Sequence, residues 1–428
     1  MRAVRAALVV LLVGYGPSHL AAQELPPSSV VIFDGDMTPA AGTTDLLALQ
    51  HALIFVEDRF LPAQFDEEKT PLRRTFGIAY RFGKWFGLDL AQDHFLIVVA
   101  HEVFGHGARL REIGATDIHY HFDVPIPYGP GGGSTAFNGD LSATRADVLA
   151  IDTAGIEAQN VMADWIGRQA LARGALTYRE SWTYLESRLD GLRYIRSVSP
   201  QSAPGHDVAD FLQDFNDGCN PPVCTRLHES TLKQRALWML ADPLLAYAAY
   251  DMFVTYMVRG QISATVPMIP LPHDLKYLPA VRFEMTPYGT EWTSEHDIVG
   301  SGRLTRVSLR FGDTGRSLAW GIGVIATDLV HVGRVAAQVS AEVWRQPPLD
   351  APPSSTALAT GGLAAATVNV ALGGSSDKPS QVGLVLQGGY KSDGYVRGER
   401  LHAGPIVRVG LSVTLDRAPR SSEAFDQH

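Results

Sequence analysis

Leu304-Thr305-Arg306-Val307-Ser308-Leu309-Arg310-Phe311 reads with a period of two. Val307, Leu309 and Phe311 fall on one side and Arg306, Ser308 and Arg310 on the other, as in a β-strand with a single apolar face. The alternation recurs at 318–326, 337–343, 366–372, 382–390 and 407–415, and the stretch 281–285 starts the series. Turn-forming runs such as Gly312-Asp313-Thr314-Gly315 and Lys391-Ser392-Asp393-Gly394 separate the segments, so an antiparallel arrangement is expected.

One-sided apolar faces, repeated over segments of about nine to eleven residues, match the outward faces of a transmembrane barrel of roughly eight strands. The resemblance to small outer-membrane barrels is one of pattern alone. A soluble antiparallel sandwich would show the same faces, so both architectures stay open for residues 261–416. The polar stretch 417–428 follows.

Before position 261 the period changes. Residues 44–60 and 144–172 carry apolar side chains at helical spacing, and 178–199 reads as an amphipathic surface helix. The stretch 232–258 is long and apolar, but Asp242, Pro243 and Asp251 interrupt it, which favours a buried or kinked helix over a membrane span. The loop 124–134, with Pro125, Pro127, Pro130 and Gly131 to Gly133, excludes regular structure. The expected class is therefore α+β: a mainly helical domain over 23–260, then a β-barrel.

Residues 1–22 combine Arg2 and Arg5, an apolar run from Ala6 to Val13 and a small-residue end at Ala21-Ala22, the pattern of a secretory signal peptide. Cys219 and Cys224 flank a proline turn and are the two cysteines of the chain, so a disulfide is expected in an exported protein. With 36 basic and 45 acidic residues, a formal net charge of −9 and no basic run, nucleic acid is disfavoured as a partner. These features point to the periplasm or outer membrane of a Gram-negative cell.

The chemistry concentrates at His101-Glu102-Val103-Phe104-Gly105-His106, directly after the apolar run Phe95 to Ala100. Two imidazoles around a carboxylate are the elements of a zinc site with its own general base. The histidines are five residues apart, and on a regular α-helix that spacing would separate them by roughly 140°. A π turn would bring them together, and Gly105 is the residue best able to absorb it. The segment resembles the His-Glu-x-x-Gly-His motif of the dipeptidyl-peptidase III family. That resemblance, which covers this helix and little more, implies a catalytic zinc held by His101 and His106, Glu102 as general base, a peptide substrate, and a third ligand from a downstream helix.

Glu157 is the expected third ligand, because it lies near the apolar side of the helix at 144–172 and needs a metal or a base to pair it. Asp152, Asn160 and Asp164 are alternative ligands or supports for the histidine N–H groups. His119 and His121, on one face of a strand at 118–122, and Tyr128 are candidate donors to a developing oxyanion. A second resemblance is to site-2 proteases, through the motif, the following turn at Gly107 to Gly114, and Asp242 as a later aspartate ligand. A non-catalytic metal-binding assembly subunit on a barrel is the remaining alternative.

Overall fold

The computed structural model describes residues 28–63, 70–125, 132–138, 142–202, 205–352, 354–372 and 381–414. The stretches 1–22 and 417–428, Tyr128 and most of the loop 124–134 lie outside the described residues. The fold is α+β.

Strands β1 (Ser28–Phe33), β2 (Thr116–Phe122), β3 (Gly133–Asn138), β4 (Ala175–Thr177), β5 (Ser263–Thr265) and β6 (Ile269–Pro270) are short. The long ones follow as an antiparallel meander: β7 (Lys276–Thr286), β8 (Gly289–Gly300), β9 (Arg303–Asp313), β10 (Leu318–Val332), β11 (Val335–Gln346), β12 (Ala359–Ala371), β13 (Gln381–Lys391) and β14 (Gly404–Thr414). Ten strands form one sheet in the order β1-β14-β13-β12-β11-β10-β9-β8-β7-β6. The expected closed barrel is corrected here: among the described residues β1 and β6 are unjoined edges. Helices occupy the neighbourhood of both edges. Helix α1 (Pro39–Glu57) packs on β1, and α5 (Arg145–Arg173) packs on α1 and β7.

The two faces of the sheet differ in chemistry. Register pairs Trp320 with Phe311, Ile322 with Leu309 and Val343, and Leu386 with Val409, so these apolar side chains share the outward face. The opposite face carries charge. Arg306 binds Asp297 at 2.7 and 2.8 Å and also reaches Asp164 of α5; Arg310 binds Glu291 at 2.7 Å and reaches Glu342. This face and α5 line a cavity of about 600 Å³. Burial of these ions is tolerated because each has a partner of opposite sign.

Strand pairing crosses residue 260. β1, from the helical part, completes the sheet beside β14, and β4 pairs with β5 across that boundary. The long helical run comprises α2 (Pro71–Lys84), a π turn over Trp85–Asp89, α3 (Leu90–Val99), a second π turn over Ala100–His106 and α4 (Gly107–Glu112).

Helix α6 (Tyr178–Ser197) is not the surface helix its amphipathic sequence suggests. Arg179, 1% exposed, ties Asp89 at 2.9 Å and Asp93 at 2.8 Å into a buried ion cluster. Lys84 joins that cluster, 2.7 Å from Asp89 and in contact with Glu57. Further on lie α7 (Asp207–Asn216), α8 (Glu229–Ala236), a 3-10 turn over Leu237–Ala241 and α9 (Pro243–Tyr250), whose start is capped by Asp242. A π turn over Asp251–Val258 ends the helical part, so the apolar stretch 232–258 is broken into pieces. Among the described residues no helix is long and apolar enough to cross a membrane. Cys219 and Cys224 form the disulfide.

Candidate metal centre

The π turn at Ala100–His106 sets the geometry. Its wider winding lets residues five apart share a side, and the His101 and His106 rings stand 5.0 Å apart, centre to centre. Close packing of this turn on α5 depends on missing side chains. A Cβ at Gly105 would lie 2.6 Å from the Ala154 carbonyl oxygen, and one at Gly155 would lie 2.2 Å from the His101 ring. Gly155→Ala is therefore expected to displace the His101 ring and weaken metal affinity roughly 10–100-fold, the range seen when a ligand loses its support, as a metal titration would show.

Asp207, in the first turn of α7, supplies the third group. Its Oδ2 lies 3.0 Å from His101 Nε2 and 3.2 Å from His106 Nε2. The three ligand atoms lie within 4.8 Å of one another and could hold a metal ion. His106 donates from Nδ1 to the Ile151 carbonyl at 2.8 Å, which fixes the ring and turns Nε2 toward the cluster. Two imidazoles and a carboxylate are a donor set suited to zinc, with room in the usual fourfold coordination for one more ligand. The set therefore fits the metal expected from the sequence.

Electrostatics couple the three. Burial opposes a charged His106, yet Asp207 and Glu102 beside it hold its pKa up at about 9. Burial likewise disfavours the Asp207 carboxylate, but the charge on His106 and hydrogen bonds from both rings keep it well below the usual carboxylate range. Metal binding must then displace a proton from His106, because only the neutral ring is a ligand. The apparent dissociation constant is expected to fall about tenfold per pH unit up to about pH 9 and to level off above it, measurable by competition with a chromophoric chelator.

Glu102 is buried next to the cluster, and the Thr135 hydroxyl of β3 donates to its Oε2 at 2.7 Å. The hairpin of β2 and β3 can sit this close because position 133 is glycine; a Cβ there would come 2.8 Å from Glu102 Cγ. Tyr194 of α6 stands with its ring 6.0 Å from His101, and its oxygen accepts the Asp207 N–H at 3.2 Å. Burial and the nearby Asp207 charge push its phenol pKa up, so the hydroxyl keeps its proton at neutral pH. Asp152 is raised to about 8 by burial and by the carboxylates of Asp214, Asp210 and Asp207.

Several residues expected at the site are committed elsewhere. Glu157 accepts two hydrogen bonds from Arg109, at 2.8 and 2.7 Å, and one from the Gly398 N–H at 2.7 Å. Asp207 thus takes the place expected for Glu157. His119 and His121 do lie on a strand, but their side chains are 63% and 74% exposed and lie beside Asp117 and Asp123, outside the cluster. Asn160 accepts from Arg188, Asp164 is bound by Arg306 of the sheet and Arg168 of its own helix, and Asp242 is paired with Arg282 and Tyr184. The aspartate needed for a site-2-like arrangement is therefore engaged outside the His101–His106 pair.

No family model, curated protein or solved structure matches the chain.

Proposed function

We propose that the protein is a zinc-dependent peptidase whose sheet seats it at an outer membrane. The observation that carries the peptidase reading is the convergence of His101, His106 and Asp207 beside the buried Glu102. His101, His106 and Asp207 would hold a zinc ion, which when bound would supply Lewis acidity toward water and the scissile carbonyl. Glu102 accepts the proton of the attacking water and returns it to the leaving amine. Thr135 orients that carboxylate. Tyr194, its proton retained and its ring beside His101, is the candidate donor to the developing oxyanion.

The membrane reading is supported by the sheet's chemistry: apolar side chains outward and ion pairs inward over strands of 11 to 15 residues from β9 to β14. A tilted strand of about that length spans a bilayer.

The test of the activity uses the full chain in mild detergent with a mixture of internally quenched peptides. Cleavage that disappears on chelation and returns with zinc is expected. A chain that binds zinc but cleaves nothing contradicts the peptidase reading and favours a structural metal site.

A further inference from the structure

We propose that α1 completes the lipid-facing surface beside β1, so that the membrane seat is a composite of strands and one helix. This rests on the membrane reading of the sheet. Helix α1 leaves the sheet at Phe33 and turns back along β1, tied there by the Ile32 N–H to Asp45 at 2.6 Å and by Ser29 to His51 at 3.0 Å. It therefore lies where the next strand of a closed ring would lie.

Both of its faces carry large apolar side chains. The face toward the protein buries Leu46, Leu47 and Ile54 in the core, together with Thr43, Thr44, Gln50 and Glu57. The face toward the outside presents Leu49, Ala52, Leu53 and Val56, with no polar side chain among them, and Phe60 follows at 78% exposed. On a helix facing water the exposed stripe is the polar one; here the exposed stripe is apolar as well as the buried face. The stripe continues the outward face of β1, where Phe33 is 64% exposed and Val31 pairs with Leu411 of β14.

Lipid is the occupant these observations select. The outward face stays apolar from β9 through β14 and β1 onto α1, apart from Ser29 on β1 and Arg345 near the end of β11, and a protein partner would cover a patch of it rather than the whole sweep. The ends also carry interfacial residues. Phe311, Trp320, Tyr390 and Phe33 stand exposed near one rim. Beyond the C-terminal end of α1, Arg59 lies 4.8 Å over the Phe55 ring, and Arg73, Arg74 and Phe76 are exposed on α2. Aromatic and basic side chains at such levels suit headgroups. Because α1 buries one face, including Thr43, Thr44, Gln50 and Glu57, against protein, it need not qualify as a free-standing span.

The experiment places single nitroxide labels on the full chain in phosphatidylcholine and phosphatidylglycerol vesicles. Both cysteines are held in the disulfide, so a new thiol is labelled alone. Leu53→Cys reports α1, Leu386→Cys the sheet, and Arg193→Cys, at a position 74% exposed on α6, serves as the aqueous reference. Labels at 53 and 386 are expected to collide with oxygen at least several-fold more readily than with a water-soluble nickel chelate, and the label at 193 to do the reverse.

Nickel access at 53 with lipid-like behaviour at 386 overturns the inference and leaves the sheet in the membrane. Nickel access at both overturns the membrane seat as well. A label at 53 shielded from both reagents means that protein covers α1, and also overturns the inference.

Discussion

Glu102→Gln is expected to cut peptide hydrolysis by roughly 10²–10⁴-fold while zinc stays bound, the usual contribution of a positioned acid–base group. The amide keeps the volume of the carboxylate and can still accept from Thr135, so the hairpin over the site is retained. What disappears is the ability to take a proton from water. Because His101, His106 and Asp207 are untouched, metal content should equal that of the unaltered chain. Undiminished hydrolysis would move the base role to another group, and loss of metal would make Glu102 a ligand instead.

Arg109→Ala is expected to lower stability by about 3–5 kcal/mol, the penalty for leaving a buried charge without its partner. Glu157 is 2% exposed, and Arg109 supplies two of its hydrogen bonds. The same guanidinium also reaches Glu112 at 3.0 Å and the Glu399 carbonyl at 2.9 Å, so it ties α4 and α5 to the segment before β14. Replacing both members, Arg109→Met with Glu157→Leu, should recover part of the loss, because the Glu157 carboxylate is then no longer orphaned, while Glu112 keeps the Leu401 and His402 N–H groups. Thermal unfolding of the two variants and the unaltered chain in one detergent checks this. Equal midpoints for the single variant and the unaltered chain would mean that the pair is solvated.

The strands were legible wherever one face is apolar and the other is not. β8 was missed for a physical reason: Glu291, Thr293, Glu295 and Asp297 fill one face, and the other, with Trp292, Ser294 and His296, packs on helices and on β7. Neither face therefore carries a pure apolar signature. The open ring was also hidden, because β1 joins β14 from the far end of the chain and α1 follows it.

At the site, the π turn was readable because five-residue spacing demands it. Glu157 was correctly marked as a buried carboxylate needing a partner, but that partner is Arg109, one turn beyond the motif. Asp207 carries no local mark beyond an acidic residue in the first turn of a helix, which by itself indicates only an N-terminus. Its role depends on α7 packing against α5, a contact between residues about a hundred positions apart from the histidines, as the 106- and 101-residue separations record.

The most direct test is elemental analysis of the purified full chain beside Asp207→Ala and Glu157→Gln. About one zinc per chain is expected in the unaltered protein and in Glu157→Gln, with loss in Asp207→Ala, as a site of three protein ligands requires. Zinc retained in Asp207→Ala but lost in Glu157→Gln, or absent from the unaltered chain, would contradict the metal centre described.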